Sequence, residues 1–372
     1  MKVTIATGLY PPEIGGPATY ATMLEQELPA HDIEVTVVPF GWVRKYPKVL
    51  RHMVYLWKLW CASHQSDLIY ALDPVSVGLP ALWVSKLRRL PFLVRLGGDY
   101  AWEQGRVRFG VTKILDDHLD DASDWPRPVR LLAKVQTHVV SHARRVIVPS
   151  KYLKRMVVKW GIPEEKIQVI YSALYPLTVT TPRQQLREEL EYPYPTIVSA
   201  GRLVPWKGFS ALIDVVAALK EQFPQVTLII VGDGPEKEVL EAKVAERKLS
   251  RNVWFTGSVS KDTLGAMIKA ADVFVLNTAY EGLSHQLIEV MDIGTPIVTT
   301  VAGGNPELIT DGVNGYLVPF NDTDALTESI ARVLHHPESR ERLVQSARGR
   351  SKEFAKERIV ADIVVMLKEM AS

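Results

Sequence analysis

The chain has a single cysteine, Cys61, in 372 residues. That excludes an internal disulfide and a thiolate metal cluster, and it suits a reducing compartment. No run of about 18 uncharged apolar residues occurs, so no helix long enough to cross a bilayer is expected. The apolar start at residues 3–6 is too short for a signal-peptide core and reads as a first strand. The G-x-G-x-x-G dinucleotide fingerprint is also missing. Acids are absent from two stretches: residues 44–60 carry five Lys or Arg, and residues 127–159 carry nine. Net charge is +2, distributed as +7 over residues 1–176 and −5 over 177–372. The first half is therefore the one suited to an anionic surface or acceptor.

What is present is an ordinary globular composition, 47% apolar and 23% charged, in a chain longer than one core usually supports. Strand-like runs recur at residues 3–6, 34–38, 68–72, 92–95, 146–148 and 168–170, mostly separated by helix-length segments. A second series follows at 196–200, 227–231, 253–255, 273–276, 297–299 and 316–318. This alternation predicts an α/β fold with two doubly wound parallel sheets. Between the series, residues 171–195 are rich in Pro, Thr and Tyr without a strong period. The expected domains are 1–175 and 196–352, a linker at 176–195, and a C-terminal helix at 353–372 packing back toward the first domain.

In the first half, Gly15 and Gly16 lie between strand and helix, where they serve either a plain turn or the close approach of a ligand. Asp99 follows the strand ending at Arg95, at the sheet edge where open α/β folds bind ligands. Residues 104–128 show no period and predict a loop long enough to be a lid or an acceptor-binding element. Within it, the acidic run Asp116–Asp121 reads as a metal site or, more blandly, as an acidic surface loop. The basic, aromatic stretch 44–60 fits either a membrane surface or a core-packing helix with snorkelling cations.

The second half places three glycine-bearing loops after strands. One carries Arg202 and Lys207 between Gly201 and Gly208. The next, from Gly232 to Glu236, puts Pro235 at an expected first helical position. The third carries Glu281 and leads into a helix starting near Ser284, predicted to be apolar nearly all round except for Glu289. A carboxylate in those surroundings is either tied down by the protein or reserved for a ligand. It stands roughly 7 Å along the helix, at about 1.5 Å per residue. A phosphate at the helix start with its ribose reaching Glu289 fits that span. Arg202 and Lys207 then meet the same anion, one as a fork and one as a point charge.

The paired Gly15-Gly16, Gly201-Arg202, Lys207-Gly208, Gly232 to Pro235 and Phe255 to Gly257 form a recognisable set. With Glu281 and Glu289, Gly303 to Glu307, and Asn314-Gly315, the chain resembles a retaining glycosyltransferase of family four, glycosyl transferases group 1. The resemblance covers nearly the whole length and is weakest at residues 41–148. It implies the GT-B fold, two Rossmann-like domains facing across a cleft, and a nucleoside diphosphate sugar donor (UDP- or GDP-sugar) with no metal or further cofactor. Arg202 and Lys207 would bind and stabilise the leaving diphosphate, Glu289 the ribose and Glu281 the sugar. The backbone of Gly282, Leu283, Ser284 and His285 would cradle phosphate and sugar, and Gly257 and Val259 would flank the base. Gly15 and Gly16 would approach the donor from the first domain. The acceptor would be lipid-linked, a saccharide or a small molecule, as in cell-envelope or polysaccharide synthesis, and no nucleic acid is expected.

Two departures stand out. Many members carry a histidine in the first-domain loop where this chain has Gly97-Gly98-Asp99, so Asp99 either substitutes for it or the role is lost. Ser284-His285-Gln286 is also more polar than usual, and His285 either touches donor or helps begin the helix. The alternatives are another nucleotide-sugar enzyme such as an epimerase, or a non-catalytic nucleotide-sugar-binding protein. The expected location is cytoplasmic, with peripheral contact at the inner face of an anionic membrane.

Overall fold

The computed structural model describes residues 1–13, 15–115 and 125–371. The chain forms two compact units, Met1–Ser172 with Lys356–Ser372, and Ala173–Ala355.

Six strands build the first unit: β1 (Lys2–Thr7), β2 (Glu34–Pro39), β3 (Leu68–Ala71), β4 (Phe92–Arg95), β5 (Arg145–Val148) and β6 (Ile167–Val169). They are all parallel, in the order β2-β1-β3-β4-β5-β6. Every residue of β3 and β4 is buried, as expected of strands covered by helices on both faces. The strand order reverses between β1 and β3, so the loops after those strands border the position where such sheets take ligands. The C-terminal helix Lys356–Ala371 belongs to this unit. It buries Ile359, Ile363, Met366 and Leu367, and Lys356 Nζ donates to Glu27 Oε1 at 2.5 Å.

The second sheet runs β12-β11-β10-β7-β8-β9, also parallel throughout. Its strands are β7 (Thr196–Ala200), β8 (Thr227–Val231), β9 (Val253–Gly257), β10 (Val273–Leu276), β11 (Ile297–Thr300) and β12 (Tyr316–Val318). Here the order reverses between β7 and β10, which pair through Val273 with Ile197 and Phe274 with Val198. The core between sheet and helices includes Leu203, Phe209, Leu212, Val275, Val298 and Leu326.

Three segments differ from their sequence-based expectation. The aperiodic stretch beginning at residue 104 opens inside a helix, Tyr100–Arg108. That helix buries only Ala101, Trp102 and Gly105, too few apolar residues to show a period. Residues 176–195 contain the helix Arg183–Glu189, which is strapped down rather than loose. Buried Asp272 accepts from Arg183 at 2.5 Å, from Arg187 at 2.9 Å and from the Thr196 amide at 2.8 Å. Pro235 sits in a turn two residues ahead of the helix Lys237–Glu246, not at its first position. The acidic run Asp116–Asp121 lies outside the described residues.

Candidate functional site

The helix His285–Ile293 starts where the sequence says it should. Ser284 is its N-cap, with the Leu287 amide donating to Ser284 Oγ at 3.2 Å. Leu287, Ile288, Val290, Met291 and Ile293 are buried. The helix start presents amides and the positive end of the helix dipole at the carboxyl edge of β10, an arrangement that attracts anions.

The loop after β7 lies directly beside it. Lys207 Nζ donates to Glu281 Oε1, joining the two loops by an ion pair whose side chains are each 19% exposed. The backbones are tied as well: the Ala279 amide donates to Trp206 O at 2.8 Å and Asn277 Nδ2 to Gly208 O at 2.9 Å. Gly208 has φ +57°, and a methyl group there would fall 2.2 Å from Asn277 Nδ2, so only glycine closes this turn. Arg202 is exposed and has no ion pair among the described residues.

A third loop supports Glu281 from the other side. The Gly304 amide donates to Glu281 O at 2.9 Å. Gly303 has φ +60°, and a methyl group on it would stand 2.0 Å from Glu281 O. Close behind, wholly buried Asn305 donates from Nδ2 to Thr299 Oγ1 and Thr300 O, both at 3.2 Å. Glu281 is thus fixed by a side-chain pair and by backbone contact.

Glu289 is different. It is half-buried in its helix and receives no hydrogen bond or ion pair among the described residues. Burial pushes its carboxyl up to about 6, opposed by the charge of Lys261. Of the two fates open to this carboxylate, the protein has not tied it down. Lys261 opens the helix Lys261–Ala270, just after Gly257 and Val259 at the end of β9. The structure therefore brings Arg202, Lys207 and Glu281 through His285 to one sheet edge, with Glu289 a turn and a half into the helix.

Gly15, Gly16 and Asp99 belong to the first unit. Gly15 precedes the helix Gly16–Glu27, and the loop before it is braced by Glu13, which pairs with Arg44. Asp99 is the N-cap of the helix Tyr100–Arg108, accepting the Trp102 amide at 2.9 Å. Burial raises its carboxyl, while the Trp102 amide and Gln136 lower it. Asp99 Oδ1 thus caps this helix at the carboxyl end of β4.

Two family models divide the chain between them. Residues 2–173 match the Glycosyl transferase 4-like domain and residues 182–350 match Glycosyl transferases group 1. An uncharacterized glycosyltransferase of Methanocaldococcus jannaschii is 27% identical, covering 94% of this chain and 93% of its own. The alpha-monoglucosyldiacylglycerol synthase of Acholeplasma laidlawii is 24% identical over 96% of this chain and 94% of its own. Among solved structures, Anabaena HepE in complex with UDP superposes with a TM-score of 0.79 at 22% identity, covering 99% of this chain and 100% of HepE. At that identity the likeness is one of fold.

Proposed function

The chain belongs to glycosyl transferases group 1, and from that premise we propose that it transfers a sugar, with retention, from a UDP- or GDP-sugar to a lipid-linked, saccharide or small-molecule acceptor. The observation that carries this reading is the convergence at the β7/β10 reversal. Two cations, a helix start and a fixed carboxylate meet there, with an unengaged carboxylate further along the same helix.

In this reading the diphosphate lies at the helix start, held by the amides of residues 284–287 and by Arg202 and Lys207. Glu289 takes the ribose hydroxyls and Glu281 a hydroxyl of the sugar. The acceptor oxygen bonds to the anomeric carbon on the face the phosphate leaves. The carbon–oxygen bond to phosphate breaks, and the acceptor proton passes to the departing phosphate oxygen. The protein's share is positioning and stabilisation of the charge growing on the diphosphate. We read Glu281 and Glu289 as donor-binding residues and not as a glycosidase acid and nucleophile pair, because that scheme belongs to hydrolysis with the two carboxylates flanking the scissile bond. In this reading Arg202, Lys207 and the helix start supply the positive charge that meets the leaving diphosphate.

HepE is described in complex with UDP, and the Acholeplasma relative is named for a lipid product. These favour a nucleotide donor and admit a lipid acceptor. The exposed Trp42, Met53, Trp57 and Trp60 of the first unit favour peripheral contact with an anionic membrane.

The test is thermal shift with UDP- and GDP-sugars, followed by transfer assays and NMR of the product's anomeric proton. A retained anomeric configuration is expected. Inverted product would overturn retention; donor epimerised without acceptor would overturn transfer itself.

A further inference from the structure

Two buried polar residues directly after β10 have no part in the donor contacts, yet both reach the turn that carries Lys207. Asn277 and Thr278 are each 0% exposed. The turn, Pro205–Lys207, ends on Gly208. Asn277 Nδ2 donates to Gly208 O and to Asn321 Oδ1, both at 2.9 Å, while Asn277 Oδ1 accepts the Asn321 amide at 3.1 Å. Asn321 follows β12 and holds φ +59°, a left-handed conformation that asparagine tolerates better than most residues. One buried amide thus ties together the loops after β7, β10 and β12.

Thr278 works beside it. Its hydroxyl lies 3.3 Å from Trp206 O and 3.0 Å from Tyr280 O, within donating distance of the Lys207 loop and the Glu281 loop alike. Its carbonyl accepts the Thr300 hydroxyl at 2.6 Å, which adds the loop after β11.

The turn does not need Asn277 to satisfy its backbone. Gly208 O already accepts the Ala211 amide at 3.1 Å, so the side-chain bond locates that carbonyl rather than supplying a missing partner. Lys207 immediately precedes Gly208, and a shift of the carbonyl carries the ammonium with it. For a group aimed at reacting atoms, a misplacement of about 1 Å can cost on the order of 10²-fold. We infer that Asn277, with Thr278 beside it, is a positioning residue that aims Lys207 at the diphosphate. It is too deeply buried to meet a ligand itself and acts through the turn. The inference rests on the proposed function for placing a diphosphate there, but its test needs no sugar transfer.

Asn277→Leu keeps a similar branched shape and removes the tie. Gly208 O retains its helix amide and Asn321 is exposed to water, so the fold should survive. Calorimetric titration of the full chain with UDP, UMP, GDP and GMP reads what the terminal phosphate contributes. The parent should favour the diphosphate of its preferred base over the monophosphate by about tenfold or more. Asn277→Leu should cut that preference roughly fivefold and leave monophosphate affinity within about twofold of the parent's. In a Lys207→Ala background the same substitution should change the preference by less than about twofold, because no ammonium is left to aim. Thr278→Val should act in the same direction, and it replaces Asn277→Leu if that chain unfolds; Thr278→Ser, which keeps the hydroxyl, should behave like the parent. If Asn277→Leu and Thr278→Val both retain the parent's preference, or cost as much without Lys207 as with it, the two residues only hold the fold and the inference is overturned. A parent that binds neither diphosphate removes the donor reading and this inference together. Absence of sugar transfer alongside the expected binding pattern removes the transfer reading alone and leaves the positioning role standing.

Discussion

Lys207 Nζ donates to Glu281 Oε1, so the residue proposed to meet the diphosphate is held by the residue proposed to meet the sugar. The pair does two things at once. It fixes the Lys207 ammonium at the β7/β10 reversal, and it keeps a partly buried carboxylate from standing alone. Removing one partner therefore differs from removing both.

Lys207→Ala should lower kcat by about 10²- to 10³-fold, the range for loss of a group aimed at developing charge. It should also destabilise the fold by about 1–3 kcal/mol, because Glu281 is left without its partner. Lys207→Ala with Glu281→Gln should regain much of that stability and none of the activity. Chemical denaturation and single-turnover transfer read the two effects separately. Recovery of activity in the double variant would contradict a direct role for Lys207.

Glu289 supplies a pH prediction. Burial raises its carboxyl from the ordinary 4.5 to about 6, so the ionised form is disfavoured in the folded protein. The sign follows: stability attributable to Glu289 is fully present below about 4.5 and is lost as pH rises through about 6. By pH 7 the cost amounts to about 2 kcal/mol, and Glu289→Gln should recover part of it. Donor binding should run the other way, since ribose hydroxyls donate best to the ionised carboxylate. Calorimetric titration with UDP and GDP should show affinity falling as pH drops below about 6 in the parent. Glu289→Gln should bind more weakly at pH 7.5, with a flatter profile. A parent profile flat between pH 5 and 7.5 would sink the assignment.

The frame of both units was legible because each strand is a short, mostly apolar run between helix-length segments, while the strand orders and the places where they reverse came only from the structure. The helix start at Ser284 was equally plain, since a serine directly precedes the apolar series of Leu287 to Ile293. What escaped was what side chains do once packed. Asp99 looked like a site residue at a strand end, yet its side chain accepts the Trp102 amide and holds a helix whose few apolar residues gave no period. The ion pair between Lys207 and Glu281 spans 74 positions, a separation at which spacing carries no information. For residues 44–60 the sequence left two readings, and the helix Lys48–Ala62 satisfies the packing one with Tyr55 and Leu59 while keeping a second apolar face outward.

That outward face gives the last prediction. Leu50, Met53, Trp57 and Trp60 recur at helical spacing and are 45%, 64%, 62% and 40% exposed. Around them, Lys58 lies over the Trp42 ring at 5.2 Å and Arg88 over the Trp60 ring at 3.9 Å. No Asp or Glu occurs from residue 35 to residue 66. Indole rings with cations beside them suit the headgroup region, where each cation near an anionic surface contributes about 1 kcal/mol. The protein should float with vesicles of phosphatidylcholine and phosphatidylglycerol at low salt and be released at high salt, as screening shortens the reach of its charges. Trp57→Ser combined with Trp60→Ser should reduce binding without altering nucleotide affinity, because both indoles lie in the unit that does not carry Glu289. Lys58→Ala should cost roughly fivefold, the equivalent of one cation. Absence of flotation by the parent at low salt, or flotation of the double tryptophan variant equal to the parent's, would remove this face as a membrane contact.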